Sequence, residues 1–257
     1  MAKDYNLPKV EELLEAGVHF GHQIKRKNPL MKDFIYSEDS KSNIIDVYRT
    51  LEKLETACEF LYETAKEGKQ IIIVGTKRQA SQLVKTYAEK AGAMYVNQRW
   101  LGGTFTNFDS IKSQFQRLGK LKERQESKSL DSYTKREKLL VARDIEKLEL
   151  FIGGIKNMKP FPAVIIVIDT KKEKTAVAEA NKVGTKVIGI IDTNSDPTII
   201  DYPIPANDDA IKSIEILLKP ISEAILSGYK DYKPPKEEQA KPKEIKAVSR
   251  VKPRVIK

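Results

Sequence analysis

The sequence predicts an α/β fold in which a mostly parallel five-stranded sheet is covered by helices on both faces and interrupted by a helical hairpin. Apolar, β-branched runs predict the strands: QIIIVGT (70–76), AVIIVID (163–169), KVIGIID (186–192) and the shorter AMYVN (93–97). Patterns of helical period separate them. Near-continuous apolar strands alternating with helices are what a parallel sheet buried on both faces requires. The interruption is residues 105–151, where charged side chains surround apolar residues at steps of three and four.

The chain opens with a short helix and then AGVHFGHQIKRKNPLM (16–31), which holds both histidines and the triplet Lys25, Arg26, Lys27. Zinc usually takes four ligands, and two histidines with one distant cysteine do not supply them. No acid or nucleophile adjoins either ring. Gly17 and Gly21 point to close backbone packing, with Phe20 as a core plug. The stretch therefore reads as a packed corner: His19, Phe20 and Gly21 are structural, and Lys25, Arg26, Lys27 and Lys32 face a polyanion. His22 and Gln23 are placed to donate hydrogen bonds to phosphate or sugar. No metal and no cofactor are expected.

A helix follows over 46–66, with Leu51, Leu54, Cys58, Leu61 and Ala65 on one stripe. Cys58 reads as a buried small hydrophobe, and a lone cysteine excludes an intrachain disulfide. After the 70–76 run come Lys77 and Arg78, a basic loop, and a helix over 78–91. RWLGGTFTNF (99–108) reads as a rigid platform, with Trp100 packed, Gly102 and Gly103 tightening the loop and Arg99 free for phosphate.

The hairpin takes Phe108, Ile111, Phe115, Leu118 and Leu121 on its first helix, then Val141, Ile145, Leu148 and Ile152 on its second, the seam of an antiparallel coiled coil. Thr134 and Glu137 form a capping box, and Gly153 and Gly154 end the second helix. Lys112, Lys120, Lys122, Arg124, Lys128, Lys135, Arg136 and Lys138 lie on its outer faces or near its tip. Helices over 173–183 and 208–227 complete the fold, with a last strand from TIIDYPIP (198–205) between them and Asn207 capping the final helix. The organisation predicted is 1–104 with 155–229 as the α/β/α domain, 105–154 as the insertion, and 230–257 as a flexible basic tail.

The net charge of +10 is confined to two places, since residues 111–150 carry +4 and residues 230–257 carry +6. A neutral scaffold with basic appendages suits a polyanionic partner. No apolar run approaches the ~20 residues that span a bilayer, and no signal-like stretch opens the chain. A place in the cytosol or an organelle interior is expected, without a membrane.

Asp169 and Asp192 fall at strand carboxyl ends, where α/β sheets bind ligands, and a Mg²⁺-dependent phosphate-processing enzyme would use them. Yet GTKRQAS after the first strand is neither a phosphate loop nor a dinucleotide fingerprint, and there is no Gly-x-Ser-x-Gly elbow. Aspartates at strand ends commonly cap the next helix. A protein-binding adaptor built on the hairpin is the third reading.

GVHFGHQ, the NPLM segment, RWLGGTFTNF, LFIGGIKNM (150–158) and DTNSDPTIIDYPIPANDDA (192–210) together resemble, in order and context, the ribosomal protein S-two family of the bacterial-type small subunit. The resemblance runs from about Lys9 to Ser227. It implies a flavodoxin-like α/β/α domain with an inserted coiled-coil hairpin and no enzymatic activity. It implies binding of small-subunit ribosomal RNA, contact with neighbouring ribosomal proteins and seating of the large S-one protein that captures messenger RNA. No small-molecule substrate is implied.

Overall fold

The computed structural model describes residues 5–39, 42–127 and 133–233. Helix α1 (Val10–Glu15) is followed by strand β1 (Phe20–Gln23), two short 3₁₀ turns, β2 (Ile35–Glu38) and β3 (Ser42–Ile45). Then come α2 (Val47–Lys66), β4 (Ile71–Val74), α3 (Arg78–Ala91), β5 (Met94–Val96), α4 (Phe108–Glu126) and α5 (Lys135–Ile152). The last described elements are β6 (Val164–Ile168), α6 (Lys174–Val183), β7 (Lys186–Ile191), β8 (Tyr202–Pro205) and α7 (Ile211–Asp231).

The main sheet runs β5-β4-β6-β7-β8 with every pair parallel. Its strands divide the core by their period of two. Ile71, Ile73, Val164, Ile166, Ile168, Ile188 and Ile190 face the layer of α2, α3 and α7. Ile72, Val74, Ile165, Val167, Val187 and Ile191 face the layer of α6, Trp100 and the base of α4 and α5. The expected three-layer α/β/α fold is what forms.

Each boundary has a local cause. Asp46 opens α2 by accepting from Tyr48 N at 2.9 Å, and Gly92 and Gly184 close α3 and α6 in the left-handed conformation. The Thr134–Glu137 capping box starts α5, with both of its bonds present. Helix α7 begins three residues later than expected because Asn207 does not cap it. Its Oδ1 instead accepts from Asp209 N and Ala210 N, forming the turn before the helix. Helix α5 stops at Ile152 and continues as a 3₁₀ turn through Gly153 and Gly154, so glycine φ freedom is not the stop. Gly154 is needed for a different reason, as a Cβ there would run into the Tyr95 carbonyl.

The small antiparallel sheet β1-β3-β2 goes beyond what the sequence patterns predict. Phe20 is also not a core plug. It is 53% exposed against the His19 ring, while Val18 and Leu13 fill the interior. Helices α4 and α5 pack together through Leu118 and Ile145, and Arg117–Asp144 (2.9 Å) and Lys122–Glu149 pair across them. Residues 234–257 of the basic tail lie outside the described residues. Among the described residues no helix is long and apolar enough to cross a membrane.

Candidate nucleic-acid interface and a closed crevice

The order β5-β4-β6 reverses direction at the β4/β6 boundary, and the crevice beyond the carboxyl ends of such strands is where open α/β sheets bind ligands. Here the protein fills it with its own charges. The Lys77 ammonium, carried at the start of α3, lies 2.8 Å from Asp169, 2.7 Å from Asp208 and 2.8 Å from Asp209. Burial disfavours the charged amine, but the charge of Asp208 and bonds to all three carboxylates outweigh it, so the Lys77 pKa is raised. Asp208 is pushed up to about 7 by burial and by the charge of Asp169, against the pull of Lys77. Its Oδ2 is buried with no hydrogen-bond partner.

Asp169 also turns the chain. It sits at φ 63°, and its Oδ1 accepts from Lys172 N at 2.9 Å ahead of α6. Asp192, at the end of β7, accepts from His22 N at 3.1 Å and from Thr193 N and Oγ1, and its other oxygen lies 2.8 Å from His22 Nδ1. The bond to Asp192 raises the pKa of His22, aided by the charges of Asp192, Asp208 and Asp209 and opposed by burial. Both aspartates that an enzyme would use are therefore bonded inside the molecule.

His22, Asp192, Asp208 and Asp209 each offer a ligand atom within 4.8 Å of the others, a group able to hold a divalent cation. A cation there would compete with Lys77 for Asp208 and Asp209. Sequence spacing argues against a metal because it surveys only the neighbourhood of the two histidines. The carboxylates arrive instead from segments 170 or more residues away in sequence.

Lys77, expected on an RNA-facing loop, is thus largely buried and engaged. His22 likewise directs both ring nitrogens at carboxylates, Nε2 lying 3.6 Å from Asp209. Lys27 is bonded to Glu38 at 2.5 Å and Lys122 to Glu149. Lys25, Arg26, Lys32, Arg78, Arg99, Lys112, Lys120, Lys135 and Arg136 are exposed, and no described carboxylate pairs with them; Gln23 and Arg124 are exposed too. Lys128 lies outside the described residues.

His19 packs against Phe20 with ring centroids 4.0 Å apart and the planes tilted by 40°, and burial lowers its pKa; its Nδ1 is buried without a partner. Gly21 is required where β1 passes the Asp192–Thr193 turn, since a Cβ would stand 2.6 Å from Thr193 Cγ2 and 2.9 Å from the Asn43 carbonyl. Trp100 is 6% exposed, as its platform role demands.

The platform is held by a residue outside every motif of the sequence. The carboxylate of Glu179, on α6, accepts from Trp100 Nε1 (3.3 Å), Gly103 N (2.7 Å), Phe105 N (2.9 Å) and Thr106 N (3.3 Å). Gly103 is left-handed at φ 89° and brings its N–H round to that carboxylate. No sequence pattern marks Glu179, which sits among other helical positions far from the loop that it fixes.

Fold and site together define a class: a scaffold whose ligand crevice is closed by its own ions and whose free cations point outward. The chain belongs to the ribosomal protein S2 family, whose model matches residues 13–228. It is 50% identical over 230 residues to the small ribosomal subunit protein uS2 of Helicobacter hepaticus, covering 90% of this chain and 87% of that one. It is 47% identical to uS2 of Coprothermobacter proteolyticus, covering 85% and 82%, and 45% identical to uS2c of Cyanophora paradoxa, covering 85% and 94%. As a member of that family it is a structural, non-enzymatic constituent of the small ribosomal subunit.

Proposed function

We propose that the chain binds small-subunit ribosomal RNA through three basic surfaces: the corner of Lys25, Arg26 and Lys32, the loop region of Arg78 and Arg99, and the outer faces of α4 and α5. In this reading α4 and α5 act as a coiled-coil hairpin inserted in the α/β/α domain. The protein also contacts neighbouring small-subunit proteins and helps to seat the large S-one protein, supporting messenger-RNA binding, in the cytoplasm or an organelle interior.

One observation carries the reading: most cations at these surfaces lack carboxylate partners, while Lys77, Lys27 and Lys122 have them. An unpaired exposed cation can release counterions from phosphate without first breaking an internal bond. RNA shape and assembled neighbours, rather than a base code, then supply specificity.

The test is a titration of purified small-subunit RNA with the full chain across salt concentrations. Log affinity is expected to fall linearly with log salt. Neutralising Lys25, Arg26 and Lys32 together should reduce that slope by about 0.7 to 0.9 for each phosphate that they neutralise. A flat salt response contradicts the reading. A Mg²⁺-dependent turnover abolished by Asp169→Asn would also contradict it.

A further inference from the structure

We propose that Phe161 is a base-stacking post: with Lys156, Lys159 and Lys182 it forms a further RNA-binding point at the amino end of the parallel sheet, taking an unpaired base. The proposal rests on the RNA binding argued above and extends it to a surface that none of the three basic regions includes.

Phe161 is 64% exposed and stands at φ 58°, a conformation that bulky side chains rarely adopt. The segment is clamped on both sides. Gln70 Nε2 donates to the Asn157 carbonyl at 3.2 Å, and Lys159 N donates to Gln70 Oε1 at 2.8 Å. Beyond the phenylalanine, Ala163 N donates to the Gln70 carbonyl at 3.0 Å and Thr185 Oγ1 donates to the Pro162 carbonyl at 2.9 Å.

Strained backbone persists where its surroundings over-determine it, and such positions cluster at ligand clamps. Here the result is an aromatic ring standing in water, at the edge of an open groove of about 560 Å³ shared with Gly68, Lys69, Lys159 and Gly184.

The charges around the ring favour RNA over a protein partner. Lys159 lines the groove, Lys182 adjoins its Val183, and Lys156 lines the neighbouring groove across Gln70; all three are exposed and have no described carboxylate partner. Acids at the same end are already engaged: Glu67 with Lys69, Asp201 with Lys186, Glu89 with the Tyr95 hydroxyl and Asp231 with the Tyr62 hydroxyl. An exposed aromatic beside unpaired lysines matches stacking on a splayed-out base with phosphates alongside. The groove itself is mixed, with Pro160, Pro162, Ala163 and Val183 beside Gly68, Lys69, Gln70, Lys159 and Gly184, so it is the unpaired lysines rather than the lining that favour RNA. In sequence the post lies a few residues beyond Gly154 and the end of α5.

The test compares the full-length wild type with Phe161→Ala, Phe161→Leu and Phe161→Trp for binding to purified small-subunit ribosomal RNA. Because the ring is exposed, all three should fold like the parent. Alanine and leucine are expected to weaken binding about ten-fold, while tryptophan restores it and shows emission quenched by RNA. Leucine binding as well as phenylalanine overturns the proposal, because stacking needs a π face. So does Phe161→Ala binding RNA normally yet failing to enter the particle, which would assign the surface to a protein. If the wild type itself binds no RNA at any salt, the wider RNA reading falls and this one with it.

Discussion

Lys77→Met would leave the buried carboxylates of Asp169 and Asp208 facing one another, with the exposed Asp209 beside them and no cation between. Removing one partner of a buried ion network is strongly destabilising, so a loss of about 3–5 kcal/mol is expected in chemical denaturation. If Lys77 were an exposed RNA contact, the change would stay within about 0.5 kcal/mol. Gly21→Ala should cost about 1–3 kcal/mol through the clash with Thr193 and the Asn43 carbonyl. Cys58 is fully buried, and desolvation, aided by the charges of Glu223 and Glu55, pushes its thiol up to about 12. The thiolate is the reactive form, so iodoacetamide at pH 8 should modify Cys58 only once denaturant opens the core. Rapid alkylation of the native chain would contradict the burial. Single residues are where sequence patterns inform least. Cys58 is readable because apolar helical spacing implies burial, and Trp100 because it sits in the glycine-containing RWLGGTFTNF platform, whereas Lys77, His22 and Phe20 depend on partners or faces brought together by the tertiary fold.

The platform loop and α6 act as one element through Glu179. Glu179→Ala removes an acceptor shared by Trp100, Gly103, Phe105 and Thr106. Buried donors left unpaired cost about 1–3 kcal/mol, and Trp100 emission should shift to the red as water enters. Unchanged emission would show that the loop holds itself. Thr134→Ala, which breaks the capping box of α5, should cost about 1 kcal/mol. Elements of the main sheet are recoverable from sequence because their strands are apolar on both faces and their helices keep one stripe inward. The β1-β3-β2 sheet is not, since its four-residue strands mix Gly, His, Ser and Asn, and both of its pairings shift register. Neither feature leaves a clean alternation to read.

Across the whole molecule, the outward cations contrast with the inward pairing at the sheet's carboxyl ends. The scaffold outside residues 111–150 and 230–257 is neutral, so its exposed cations act as local patches rather than through a large net field. That distribution is legible in the sequence; which cations are paired internally is not, because the pairing depends on carboxylates distant along the chain. If phosphate contacts hold this family member in the small subunit, its retention there must depend on salt. Sedimentation of native extract through sucrose gradients at low and high salt, following this chain against small-subunit RNA, is the decisive check. The chain should travel with the small particle at low salt and leave it only as salt rises. A chain that stays at the top of the gradient at both salts would contradict phosphate-held assembly.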